Sequence, residues 1–266
     1  MRRMPSAPRK EVDIVFDGTF EGFLCVVYAF YYEGITPLSI QTADALQPSL
    51  MQEEFFIVTN NDNACKVEKA IRKKISHDAY YTVAYAFLSS ADDRFMCMLH
   101  YIVYGFKMGH RVDDHLHHDF ILRVHKCARE VGREAHLLKG FCRFAETAQG
   151  ILYCAVTPIH HVLMPLAEHF ADRMMEQSWV IHDKRHNKAV VYNGESCVFV
   201  DVTPNTVPPI YAENEAQIQE LWTSYFNTAA ITARKNPKLH RNMLPMRFRG
   251  DMVEFGGTGR ADSTIS

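Results

Sequence analysis

The pattern of hydrophobic and polar positions in the first half of the chain predicts one strand followed mainly by helices. Residues 12–16 alternate as a strand does, and the turn at Asp17-Gly18-Thr19 leads into an apolar stripe of helical spacing that starts at Phe20. Asp17 or Thr19 is expected to cap this helix. The remaining elements predicted for this half are a loop at 34–52, a short strand at 55–59, and helices at 66–75, 77–88, 92–107 and 114–138.

The second half of the chain changes to short strands separated by turns. Strands are predicted at 140–146 and 151–156, on either side of a hairpin turn. A helix is expected to start with Thr157 as N-cap and Pro158 as its first residue, and to run to about Met175. Three further strands, with the sequences WVIHDK, KAVVY and SCVFVDV, form a predicted meander.

These elements predict an α+β fold class with one mostly antiparallel sheet of about five or six strands, packed against several helices. A Pro-rich loop at 203–209 leads to C-terminal helices, the first of which is expected to pack on the sheet through Trp222 and Phe226. We expect a single α+β domain over 12–255. Its parts are a helix-rich segment at 17–139, a sheet-rich segment at 140–202 and C-terminal helices at 214–245, with disordered tails predicted at 1–11 and 256–266.

Composition narrows the classes of protein to consider. The 266 residues carry a net charge of −2, so any nucleic-acid site must be a local basic patch. The seven cysteines are scattered and never form a C-x-x-C pair, which argues against a disulfide framework or a zinc knuckle and for a reducing cytoplasm. No apolar run reaches the roughly 18 residues that span a bilayer. We expect a cytoplasmic protein with no membrane partner and no cofactor.

A segment near the C-terminus contains several basic residues and no acidic ones. The run between Asn227 and Gly250 contains no Asp or Glu. Its bases, named here the C-terminal basic strip, are Arg234, Lys235, Lys238, Arg241, Arg247 and Arg249. Asn236-Pro237 predicts the start of a short helix whose unpaired N–H groups would lie among these cations, a suitable place for a phosphate. The alternative interpretation is a solvated basic face.

Fourteen histidines include one group that could ligate a metal. On a helix, His115, His118 and Asp119 would share a face, since their spacings are three and four residues. A polar start of a helix is the preferred interpretation, because no tight motif supplies three ligands. The sequence therefore predicts no metal site, and in particular no stoichiometric zinc or iron–sulfur cluster.

Other histidines are candidates for acid–base chemistry. His160 is expected near the N-terminus of a helix, where the dipole favours neutral imidazole, and His169 shares another stripe of that helix with Arg173. The pair His182-Asp183 also occurs in metal-dependent phosphohydrolases, which place it on a helix. Here it lies in a predicted strand, where neighbouring side chains point to opposite faces, so a dyad is not favoured.

The sequence pattern places Arg143 within a predicted strand, between apolar residues. It lies between Phe141 and Phe144 in a predicted strand. An arginine in that position either pairs with a buried acid or is aimed at a ligand, and the sequence leaves both possibilities open.

Several motifs resemble those of a known bacterial family. They are DGTFEG at 17–22, E-A-H-x-x-K-G-F-x-R-F at 134–144, P-x-H-x-x-L at 158–163, H-F-x-x-R at 169–173, WVIHDKR at 179–185 and R-K-N-P-K-L-x-R-x-x-x-P-x-R-F at 234–248. Together they are similar to the bacterial DNA repair (DNA metabolism) protein family, which includes a domain of unknown function. The match covers nearly the whole chain apart from both tails and the 34–52 loop. It departs at His161 and around His115 to His118.

The resemblance implies DNA as the context and a radical SAM DNA repair or modification protein, encoded nearby, as the partner. Some relatives fuse the same domain to a uracil-DNA-glycosylase-like domain. The leading hypothesis is a DNA repair protein that binds nucleic acid. Residues predicted to contact nucleic acid are Arg143, Arg173, Arg185, Arg234, Lys235, Lys238, Arg241 and Arg247. One alternative is an enzyme in its own right, a hydrolase, nuclease or glycosylase with His160, His169 or His182 as acid–base groups. Another is a scaffold for the partner enzyme without DNA binding.

Overall fold

The structure, a computed structural model, describes residues 10–45, 53–203, 209–229 and 244–256. Contacts between residues divide the chain into two compact units, Met1–Val131 and Gly132–Ser266. Each unit has its own sheet, with three strands in the first and five in the second among the described residues. The protein therefore mixes helices and strands as predicted, but the expectation of one sheet was wrong.

The sheet of the first unit is parallel and is centred on β1 (Lys10–Phe16). β2 (Ile35–Thr42) and β3 (Glu54–Phe56) flank it. The helix α1 (Phe20–Tyr32) crosses from β1 to β2, and such a crossover returns the chain to the same end of the sheet and makes the pair parallel. Five consecutive residues of β1, 12–16, are buried, as is usual for a central parallel strand.

The strand β2 corrects the prediction of a loop at 34–52. Pro37 weakens the strand signal because it has no N–H to give to a ladder. It is tolerated here because β2 lies at the edge of the sheet. The pairing register also shifts between Val12 and Asp13, next to the position where Val12 pairs with Pro37. At the N-terminal end, β1 includes Lys10 and Glu11, which the sequence analysis assigns to a disordered tail.

The helices of the first unit follow the predicted order with shifted bounds. They are α2 (Asn61–Lys74), α3 (His77–Phe87), α4 (Arg94–Met108) and the start of α5 (Asp119–Phe141). Thr19 caps α1 as expected, because its hydroxyl accepts the N–H of Gly22 at 2.9 Å. The helix predicted from 114 begins later, after a 3-10 helix (Gly109–Asp114) and a turn at 115–118.

Aromatic side chains form much of the core in the first unit. The ring centroids of Phe16 on β1 and Phe95 on α4 lie 5.0 Å apart in an edge-on arrangement, and Phe23 on α1 stacks on Phe95 at 5.9 Å. All three rings are buried. The sheet and the helices of this unit are thus held together by large apolar side chains.

The sheet of the second unit is mixed. Its strands, in spatial order, are β4 (Ala145–Glu146), β5 (Leu152–Val156), β6 (Trp179–Asp183), β7 (Lys188–Tyr192) and β8 (Cys197–Asp201). β5 and β6 are parallel, whereas the other neighbouring pairs are antiparallel. The expectation of a mostly antiparallel sheet was wrong for this pair, because it requires the helix between β5 and β6 to form part of a hairpin. The helix α6 (Leu163–Arg173) instead acts as a crossover.

Two element boundaries in the second unit differ from the prediction. α5 continues to Phe141, so the strand predicted at 140–146 is reduced to the two residues of β4, and Arg143 lies in the link between them. α6 begins at Leu163 rather than at Pro158, so His160 lies in a loop. At both boundaries the apolar residues suit a helix, a strand or a loop equally well. The local sequence pattern therefore does not fix where the element begins or ends.

The C-terminal helix docks through polar residues rather than through its apolar stripe. In α7 (Glu215–Ala229), Glu215 and Gln219 are buried, while the stripe containing Leu221 and Trp222 is exposed. The Glu215 carboxylate accepts the N–H of Glu146 at 3.0 Å, which fixes the helix to β4. The expected packing of Trp222 and Phe226 on the sheet is therefore wrong.

Trp222 and Phe226 each contact a residue near the end of the described chain. Trp222 donates its indole N–H to Glu254, and the Phe226 ring packs against Phe255 at 5.6 Å. Both partners belong to a 3-10 helix (Val253–Phe255) that follows the short helix α8 (Met246–Arg249). Within the described residues, no helix is both long enough and apolar enough to cross a membrane. The helix predicted at Asn236-Pro237 lies outside the described residues.

Candidate functional site at the carboxyl end of two parallel strands

Parallel pairing of β5 and β6 places their carboxyl ends side by side. The last residues of the two strands, Val156 and Asp183, are register partners. The loops that follow, 157–162 and 184–187, therefore leave the sheet at the same edge. In open sheets built from strand–helix–strand units, ligands bind beyond the carboxyl ends of the parallel strands. This edge is the first place to look for a functional site.

A carboxylate and two imidazoles meet at this edge. The side chain of Asp183 is 1% exposed, and its Oδ2 lies 2.6 Å from Nδ1 of His186. Its Oδ1 accepts the backbone N–H groups of Arg185 at 3.0 Å and His186 at 3.1 Å. The ring of His161, from the other loop, lies 4.1 Å from that of His186 between centroids. Because an ionised carboxylate only accepts hydrogen bonds, Nδ1 of His186 carries its proton, and in the neutral ring Nε2 is the basic nitrogen.

Glu134 fixes the loop that carries His160 and His161. This carboxylate, on α5, is buried, and it accepts the backbone N–H of Ile159 at 3.0 and 3.1 Å and that of His160 at 2.8 Å. Arg247, on α8, donates to the same carboxylate at 3.3 Å and remains 44% exposed. One buried acid thus joins α5, the loop at 157–162 and α8, which are far apart in the sequence. The residues of this carboxyl-edge site are Glu134, His160, His161, Asp183, His186 and Arg247.

His182 occupies a different environment from its neighbour Asp183, as alternation along a strand requires. Its Nδ1 lies 2.7 Å from the hydroxyl of Tyr153 on β5. Burial lowers the pKa of His182, with Lys184 adding to the effect and Asp183 opposing it. Burial also raises the pKa of Tyr153 to about 12. The expectation that His182 and Asp183 do not form a dyad is confirmed, since Asp183 pairs with His186 instead.

Arg143 is paired with a buried acid, which decides between the two possibilities left open by its sequence. Its Nη2 donates to Oε1 of Glu254 at 2.7 Å, and the Glu254 side chain has no exposed surface. The guanidinium also lies 5.2 Å from the ring of Trp222. Burial alone would raise the pKa of Glu254, but hydrogen bonds from Arg143, its own backbone and Trp222 outweigh it and hold the pKa below its ordinary value.

The remaining predicted site residues lie in several places. Arg185 is exposed in the loop after β6, beside the carboxyl-edge site, and Arg173 is exposed at the end of α6. His169 lies on α6 with its ring 5.0 Å from Phe170. Burial, together with the cations Lys139 and Arg173, lowers the pKa of His169. Four predicted contacts fall outside the described residues: Arg234, Lys235, Lys238 and Arg241.

Sequence reasoning missed most of the carboxyl-edge site. Asp183 and His186 are three residues apart, a spacing that a tight turn after a strand can close, and this signal was available. Glu134 enters the sequence analysis only as the first residue of the family motif at 134–144. Its carboxylate binds the N–H groups of Ile159 and His160, which are 25 and 26 residues further along the chain. Local periodicity gives no information about contacts over that distance. His161 was noted only as a departure from the family pattern.

Fold and site define a mixed α/β protein with a histidine–carboxylate cluster at the end of a parallel strand pair. The family described as a domain of unknown function, DUF4130, matches residues 92–254, which is more than half of the chain. This protein belongs to that family. Neither a curated protein nor a solved structure matches the chain. The matched segment includes every residue of the carboxyl-edge site.

Proposed function

We propose that this protein binds nucleic acid in DNA repair or DNA metabolism, with the carboxyl-edge site next to the bound strand and the C-terminal basic strip holding its phosphates. The motifs that resemble the DNA repair family support this proposal, because four of them contribute to one place. Glu134, His160, Asp183 and Arg247 come from four different motifs, and contacts within the second unit bring them to the same edge of the sheet.

The single observation that carries the proposal is the ion pair between Arg247 and Glu134. Arg247 belongs to the C-terminal basic strip, and its partner holds the loop that bears His160 and His161. The strip is therefore anchored at one of its last residues beside the imidazoles. Arg185, exposed in the loop after β6, adds a second cation at the same edge. A strand whose phosphates follow the strip would reach the carboxyl-edge site.

Salt-dependent DNA binding tests the proposal. Fluorescence anisotropy of a labelled oligonucleotide should show log affinity falling linearly with log salt, because bound cations release counterions from the phosphates. Each of Arg234→Ala, Lys238→Ala and Arg241→Ala should weaken binding and flatten the slope by roughly one unit. Lys73→Ala, which removes an exposed cation from α2, is the matched control and should leave both quantities unchanged. Unaltered affinity and slope in all three strip variants would contradict the proposal.

The resemblance also supports a radical SAM protein as the working partner. The test is analytical size-exclusion chromatography of the two purified proteins, alone and mixed, with and without a DNA oligonucleotide. We expect the pair to co-elute. Separate elution under both conditions would remove the partner from the proposal while leaving DNA binding to stand on the salt titration.

A second candidate function, catalysis by this chain itself, is favoured by the arrangement of Asp183, His186 and His161. In hydrolysis of a phosphodiester, Nε2 of His186 would take a proton from water as its oxygen attacks phosphorus. His161 would give a proton to the departing oxygen as the phosphorus–oxygen ester bond breaks. Asp183 would hold the His186 ring and stabilise its protonated form. Turnover of DNA by the purified chain, without a partner protein, separates this function from binding alone.

A further inference from the structure

Three histidines that the proposed function does not use lie together in the first unit. His115, His117 and His118 occupy the turn between the 3-10 helix and α5, and one ligand nitrogen from each lies within 4.8 Å of the other two. Helical spacing predicts that His115, His118 and Asp119 share a face. Because α5 begins only at Asp119, the three histidines lie in the preceding turn, and His117 joins the group.

The spacing of the three rings fits a single metal ion. Two imidazole nitrogens bound to one zinc ion at about 2.1 Å lie roughly 3.4 Å apart at the tetrahedral angle, and their ring centroids lie roughly 5.3 Å apart. The three observed centroid separations are 5.5, 6.3 and 4.3 Å. They lie on both sides of that value. Binding of one ion therefore requires rotation of the side chains, and His117 is the exposed member of the group.

Neighbouring side chains hold two of the three rings in place. The hydroxyl of Tyr104, on α4, lies 3.3 Å from Nδ1 of His115, which leaves Nε2 of that ring for a ligand. The ring of Tyr104 packs edge-on against the ring of His118 at 4.8 Å, and the ring of Phe120 stacks on His118 at 5.3 Å. Metal-binding histidines are commonly oriented by a hydrogen bond at the second ring nitrogen. His115 shows that arrangement.

We propose that His115, His117 and His118 bind one divalent transition-metal ion, with zinc as the preferred ion. Neutral imidazoles suit zinc, cobalt and nickel, whereas magnesium and calcium favour oxygen ligands. Three protein ligands leave a coordination position for water or a further ligand. The site shares no residue with the carboxyl-edge site, so it stands independently of the proposed function. This proposal differs from the prediction, made from the sequence, that the protein has no metal site.

Metal titration of the full chain tests this site. After removal of metal with a chelator, Co²⁺ should bind with one ion per chain and give visible absorption bands of a four- or five-coordinate site. Zn²⁺ should displace it in competition with a coloured chelator. His117→Ala should abolish the cobalt bands and weaken zinc binding by more than about 10-fold, and Tyr104→Phe should weaken it by about 10-fold. His136→Ala, which removes another exposed histidine, is the matched control and should bind as the wild type does.

Two outcomes would overturn the proposal. One is the absence of saturable binding at one ion per chain in the wild type. The other is equal zinc affinity in the wild type and in His117→Ala, with equal far-ultraviolet circular dichroism to show that both are folded. If His117→Ala loses its fold, His117→Gln, which keeps a polar side chain of similar length, provides the same comparison.

Discussion

Arg143 and Glu254 form an ion pair that links the end of α5 to the last 3-10 helix across 111 residues of sequence. The guanidinium donates three hydrogen bonds to the carboxylate, at 3.2, 3.3 and 2.7 Å, and two more to the backbone carbonyls of Gly140 and Cys142. Trp222 donates to the same carboxylate. The pair therefore holds α7, the α5–β4 link and the C-terminal segment of the second unit in one arrangement.

Arg143→Ala should destabilise the second unit strongly, because it leaves the buried carboxylate of Glu254 without its cation. Removing one member of a buried pair costs about 3 kcal/mol or more. Both tryptophans of the chain, Trp179 and Trp222, lie in the second unit, so their fluorescence during urea denaturation reports on that unit alone.

Arg173→Ala is the matched control, since this exposed arginine ends α6 and its loss should change stability by no more than about 0.5 kcal/mol. A denaturation midpoint for Arg143→Ala equal to that of the control would show that the pair contributes little. It would also return Arg143 to the list of residues available to bind phosphate.

The stability of the second unit should depend on pH through Glu254. The folded pKa of this carboxyl lies below its ordinary value of 4.5, so the folded state favours the ionised form. The stabilisation is fully present above pH 4.5 and is lost as pH falls through the folded pKa. Glu254→Gln should therefore be much less stable than the wild type at pH 7, and the difference should shrink steadily below pH 4.5. A difference that does not change between pH 7 and pH 3 would contradict this account.

Glu134 should control the loop at 157–162 more than the global fold. Glu134→Ala removes the carboxylate that accepts the N–H groups of Ile159 and His160, and loss of a hydrogen bond to a charged acceptor costs about 1.5–3 kcal/mol. Hydrogen exchange measured by NMR should show the amides of Ile159 and His160 exchanging faster in the variant, whereas those of β7 should keep their protection. Unchanged exchange at both loop amides would mean that the carboxylate does not hold the loop.

If the chain is an enzyme, His186 and Asp183 should act as a pair. His186→Asn should abolish turnover of DNA, and Asp183→Asn should reduce it while changing its pH profile, because the amide no longer stabilises protonated His186. His182→Gln is the matched control, since that ring contacts Tyr153 rather than Asp183, and it should retain activity. Full activity in His186→Asn would show that the Asp183–His186 pair is not catalytic. The proposal of nucleic-acid binding would then remain.

Local chemistry in the sequence predicted much of the fold but little of the site. The cap at Thr19, the helix order of the first unit and the meander of β6, β7 and β8 follow from short-range patterns, and all are present. The strand containing Pro37 was missed because a proline at a sheet edge has the same sequence signal as a loop.

The carboxyl-edge site depends on contacts that short-range patterns do not contain. Glu134 reaches Arg247 across 113 residues, and His161 meets His186 only because α6 makes β5 and β6 parallel. The grouping of His115, His118 and Asp119 assumes helical spacing, whereas His115, His117 and His118 lie in a turn before α5 begins.

The most direct test of the central claim, that nucleic acid binds beside the carboxyl-edge site, is an NMR titration of the imidazole signals with a short DNA oligonucleotide. His161 and His186 should shift progressively, saturate together with binding measured by anisotropy, and return toward their free positions as salt is raised. His110, exposed in the first unit, serves as the internal control and should stay unchanged. Saturable DNA binding that leaves the signals of His161 and His186 no more perturbed than that of His110 would contradict the account.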